Sequence, residues 1–70
     1  MPSSKIYLVS FNMTHFRMEM EIDFTYDPAV NSWKEIALKA DIMIKEIYGF
    51  SPMSLSNDFS CYDTSGETGV

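Results

Sequence analysis

Residues 16–27 alternate without interruption. Phe16, Met18, Met20, Ile22, Phe24 and Tyr26 are separated in turn by Arg17, Glu19, Glu21, Asp23, Thr25 and Asp27. In an extended chain successive side chains point to opposite faces, so this period of two buries one set and leaves the other in water. No helix can segregate such a pattern. The run predicts a strand, ended at Asp27-Pro28 because proline cannot continue a ladder. Residues 5–13 predict an earlier strand of different character. Tyr7, Val9, Phe11 and Met13 lie on one side, with Ile6 and Leu8 on the other. A strand apolar on both faces belongs in the middle of a sheet. Residues 12–15 supply the hairpin turn between the two.

The period then changes. Trp33, Ile36, Ala37, Ala40, Met43, Ile44 and Ile47 form one stripe at helical spacing. Ser32 with Glu35 three residues on is a capping-box pattern, and Gly49 stands where a left-handed residue ends a helix. A helix is therefore predicted over residues 33–48. Residues 53–62 alternate again and predict a last strand, with a break near Asn57 and Asp58. The residues from Asp63 to Val70 are polar and read as a tail following a single domain over residues 1–62.

Short connections join these elements into one topology. Two hairpin strands, a helix returning along the sheet and a right-handed crossover leave the first strand between the other two. The expected fold class is α+β. It is a small ββαβ domain with a three-stranded antiparallel sheet in order 2-1-3 and one helix packed on one face. The other face is open.

Composition narrows the functional classes. At 46% hydrophobic and 21% charged residues, the chain is globular rather than disordered. Five basic against ten acidic residues give a net charge of -5. An acidic surface repels nucleic acid and anionic membranes and suits a basic protein surface. A single cysteine cannot form an intramolecular disulfide, which fits a reducing compartment. The apolar run after Lys5 is short and no small-residue cleavage site follows it, so no secretory leader is expected. The expected location is a cytoplasm, that of a host cell if the protein is viral.

The candidate partner-binding residues fall into two groups. Glu19, Glu21 and Asp23 share a strand face at intervals of about 7 Å, twice the strand rise. Asp27 lies further along. Such a row could mimic nucleic-acid phosphates and occupy a basic groove. The plainer reading is a solvated face that keeps an edge strand from aggregating. The second group is Leu38 and Ile42, one helical turn apart opposite the core stripe and rimmed by Lys34, Glu35, Lys45 and Glu46, which suits an interface. Tyr62 is a third candidate for the buried side chains that would hold such a complex. Isolated surface hydrophobes are common, and the pair equally allows a homodimer.

Catalytic and metal chemistry finds no support. Cys61 and His15 are the only thiol and imidazole, and Cys61 falls on the predicted core side of its strand. One histidine and one cysteine cannot build a structural zinc site. The acidic run from Asp58 to Asp63 lacks the ligand order of a calcium loop. No glycine-rich phosphate loop occurs, so no enzyme activity, cofactor or metal is expected. The terminus Thr68-Gly69-Val70 fits the short pattern that PDZ domains read, a match common by chance.

In fold pattern and charge the chain resembles the small acidic ββαβ and related α+β proteins that bacteriophages use to inhibit host machinery. RNA polymerase inhibitors and anti-CRISPR proteins are examples. The resemblance rests on no shared residue motif and transfers no functional residue. It implies a protein-binding inhibitor or regulator that blocks a basic, nucleic-acid-handling partner. The alternative is a structural homo-oligomeric subunit.

Overall fold

The computed structural model describes residues 4–64. The chain forms β1 (Lys5–Asn12), β2 (Arg17–Phe24), α1 (Trp33–Tyr48), α2 (Pro52–Leu55) and β3 (Ser60–Asp63). It is a small α+β domain. Three antiparallel strands in the order β2-β1-β3 carry one main helix against the sheet. The central position of β1 follows from its two apolar faces.

The helix-facing side of the sheet is the core. Tyr7, Val9 and Phe11 of β1 are buried with Ile22 and Phe24 of β2, Cys61 of β3, and Phe59 just before it. Ile36, Ala37, Ala40 and Ile44 cover them from α1. Tyr7 stacks on Phe24 with ring centroids 4.7 Å apart and meets Trp33 edge-on at 6.1 Å. Its hydroxyl donates to the Tyr26 carbonyl at 2.6 Å, so the buried ring leaves no polar atom unpaired. Burial, with the negative charges of Asp27, Cys61 and Asp63, pushes the Tyr7 hydroxyl up to about 12.

The helix begins and ends as its sequence predicts. Glu35 N–H donates to Ser32 Oγ and Ser32 N–H donates to Glu35 Oε1, closing the capping box. Gly49 adopts φ 86° and its N–H donates to the Lys45 carbonyl. Few residues with a Cβ adopt that left-handed backbone without strain.

Four expectations are corrected. Phe16 does not join the buried face. It lies in the turn before β2, where Met13 N–H donates to its carbonyl, and its side chain is 57% exposed at the hairpin tip. Ile47 shares the helix stripe yet is exposed, because periodicity assigns a face and not the length over which a small core can cover it. Residues 53–55 form the short α2 rather than strand. Pro52 sits in its first turn, pre-set for helical φ, and Asp41 holds Ser51 and Met53 from α1. The last strand is accordingly short, and it runs through Asp63, which is buried opposite Tyr7. The rest of the expected tail from residue 65, with the Thr68-Gly69-Val70 terminus, lies outside the described residues.

Candidate functional site: the open sheet face and its acidic edge

Register decides which side chains share the open face. Ile6, Leu8 and Ser10 of β1 stand opposite Asp23, Glu21 and Glu19 of β2. Leu8 also stands opposite Tyr62 of β3, and Ser10 opposite Ser60. The open face therefore has an apolar centre of Ile6, Leu8 and Tyr62 and an acidic margin along β2. Ile6 is 48% exposed, while Leu8 and Tyr62 are half-buried. A depression of about 230 Å³ lies on the acidic margin, lined by Ile6, Glu21, Ile22 and Asp23.

Glu19, Glu21 and Asp23 are all exposed. Among the described residues none of the three carboxylates has a hydrogen bond or an ion pair. Arg17 is the basic strand residue on this face, and it is already engaged. Its Nε donates to Ser10 Oγ at 2.6 Å, and its Nη1 donates to Asn12 Oδ1 at 2.8 Å and to Asp58 Oδ2 at 2.7 Å. The guanidinium covers Ser10 and ties the hairpin to the segment before β3. Asp27, expected further along the acidic row, belongs instead to the turn after β2. Its Oδ1 accepts from Ala29 N–H, and its backbone N–H donates to Asn31 Oδ1.

The backbone of β2 can be oriented as well. Met13 N–H donates to the Phe16 carbonyl across the turn. Hydrogen-bonded pairs alternate along an antiparallel ladder, so the bonded pairs beyond it are Phe11 with Met18, Val9 with Met20 and Tyr7 with Ile22. The amides and carbonyls of Arg17, Glu19, Glu21 and Asp23 therefore point away from β1, along the outer edge of the sheet. The same parity turns Asn12 N–H toward the β3 side, where β3 is too short to reach it. The Asp58 carboxylate accepts it there at 2.8 Å.

Asp58 and Asp41 are the two carboxylates the alternation could not single out. Asp58 accepts from Ser56 Oγ, Asn12 N–H and Arg17. Hydrogen bonds from Ser56, then Asn12, then Arg17 hold its carboxyl at about 2, below the ordinary 3.8. Asp41 is buried on α1 and accepts from Ser51 Oγ at 2.9 Å and Met53 N–H at 2.9 Å. Its place beside Ala37, Ala40 and Ile44 on the helix was the available signal.

The helix candidates lie elsewhere. Leu38 and Ile42 are 50% and 44% exposed. They flank a depression of about 190 Å³ with Tyr26, Glu35 and Lys39. The Lys39 ammonium lies 5.9 Å from the Tyr26 ring centroid. The fold thus separates the six candidate residues. Glu19, Glu21, Asp23 and Tyr62 share the sheet face, and Leu38 and Ile42 form a second patch on the outer side of α1.

Cys61 sits opposite Val9 within the sheet, and burial pushes its thiol up to about 11. His15 is exposed in the hairpin turn, so the two do not form a nucleophile pair. Among the described residues no three His, Cys, Asp or Glu side chains are placed to share a metal ion. No helix of the described residues is long and apolar enough to cross a membrane. Comparison with protein-family models, curated proteins and solved structures gives no match.

Proposed function

We propose that this protein is a small acidic protein-binding module, an inhibitor or regulator that docks on a basic surface of a nucleic-acid-handling partner. The observation that carries this reading is the row Glu19, Glu21 and Asp23, exposed and without a hydrogen bond or ion pair among the described residues, beside apolar Ile6, Leu8 and Tyr62. Exposed charges of one sign can steer a partner and select it by sign. The apolar centre supplies area that such a complex desolvates. On this reading the protein acts by occupancy rather than turnover.

The test is affinity capture from lysate with the native protein and with the triple variant Glu19→Lys, Glu21→Lys, Asp23→Lys. A basic protein retained by the native chain at low salt, released by high salt and lost from the variant supports the proposal. Equal retention by both rejects it. A second reading, a homo-oligomeric subunit, rests on Leu38 and Ile42 exposed beside Tyr26. Sedimentation equilibrium decides that one. A dimer that Leu38→Asp dissociates supports it, and a native monomer at high concentration ends it.

A further inference from the structure

The outer edge of β2 carries three features in register. Its outward backbone groups, without a strand partner among the described residues, belong to Arg17, Glu19, Glu21 and Asp23, the same residues whose side chains stand on the open face. The strand holds eight residues with no proline and no glycine. On the opposite face of the same edge, Met18 and Met20 are only half-buried and Phe16 is exposed. The helix thus leaves the apolar side of this edge partly uncovered.

An open strand edge is a template for another strand. A second copy is a poor occupant. Two-fold antiparallel pairing centred on Glu21 would set Glu21 against Glu21 and Glu19 against Asp23, like charges directly opposite. The same charges favour a strand of opposite sign. We infer that β2 accepts, by antiparallel strand addition, an extended basic segment whose residues alternate between cationic and apolar. This rests on the proposed basic-partner reading and specifies how the partner is held. Residues hydrogen-bonded directly opposite Glu19, Glu21 and Asp23 project onto the open face, so they are the cationic ones. The residues between them project to the helix side and cover Met18, Met20 and Phe16. Antiparallel addition continues a sheet that is already antiparallel throughout and gives the better bonds per residue.

The probe is a peptide of about eight residues alternating lysine and valine, the length of one strand. It is titrated into isotope-labelled protein while amide exchange is followed by NMR. Two further peptides carry N-methyl groups, one on the lysine amides and the other on the valine amides. In the bound strand the lysine amides face β2 and the valine amides face solvent. Binding should therefore protect the amides of Arg17, Glu19, Glu21 and Asp23. Methylating the lysine amides should weaken it at least about tenfold, and methylating the valine amides by no more than about twofold. Equal affinity of both methylated peptides, without edge protection, overturns strand addition and leaves the basic-surface reading standing. No binding of the unmodified peptide at low salt also overturns strand addition, while the capture experiment judges the broader reading separately. Edge protection that appears on concentrating the protein alone would make the occupant a second copy and overturn the charge argument.

Discussion

Asp58, just before β3, accepts hydrogen bonds from Ser56, Asn12 and Arg17, and Asp41 of α1 accepts from Ser51 and Met53. On the β2 side, Glu19, Glu21 and Asp23 accept none among the described residues. Both sets are carboxylates on one small domain. Asp58 takes the Asn12 N–H that a longer β3 could have paired, and Asp41 takes the Ser51 hydroxyl and the Met53 N–H at the start of α2. The second set lines an eight-residue strand whose outer edge has no partner among the described residues. Their difference separates charge bonded within the fold from charge that makes no bond among the described residues.

The sharpest break in that comparison is Asp41→Ala. It leaves the Ser51 hydroxyl and Met53 N–H without their acceptor in a part-buried site, at a cost of about 1–3 kcal/mol. Chemical denaturation should show a lower midpoint with an unchanged slope. In a domain of this size such a loss is a large share of the total stability. A variant as stable as the native chain would mean that Asp41 does not hold α2.

A smaller effect is expected at Asp58, where it takes the form of a pH dependence. Its folded value of about 2 lies below its ordinary 3.8, so the folded state favours the ionised form. The stabilisation is complete above 3.8 and is lost as pH falls through about 2. Thermal melts of Asp58→Asn should therefore fall below those of the native chain at neutral pH, with the gap closing across that acidic window. A gap that stays constant with pH would place the effect in packing rather than charge.

The smallest effect on stability belongs to the acidic row. Glu19→Lys, Glu21→Lys and Asp23→Lys, each made singly, should move stability by no more than about 0.5 kcal/mol, because exposed charges contribute little. Calorimetry of the three variants checks this. A loss comparable to that of Asp41→Ala would show the row to be structural and remove the distinction.

How much of this was legible follows the same division. The alternation from Met18 to Phe24, the two apolar faces of β1 and the capped stripe of α1 are patterns repeated over many residues, and each fixes an element or its place. The exposure of Glu19, Glu21 and Asp23 follows from parity alone, as does that of Leu38 and Ile42 from helical phase. Met53 and Leu55 offered only two apolar residues at a spacing of two, too short a signal against Pro52 and a hydrogen bond from distant Asp41. Asp58 was equally hidden, because its partners Asn12 and Arg17 lie 46 and 41 residues away. Tyr62 gained its meaning from register, which put it opposite Leu8 and on the side of the molecule away from Leu38 and Ile42.

Among the described residues β2 is an open edge whose outward backbone groups belong to Arg17 and the acidic Glu19, Glu21 and Asp23. Native-state amide exchange of the protein alone, followed residue by residue, tests it most directly. Protection should alternate along β2, with Met18, Met20 and Ile22 protected by their bonds to β1 and Glu19, Glu21 and Asp23 exchanging rapidly. Uniform protection across these six amides would show the edge to be covered.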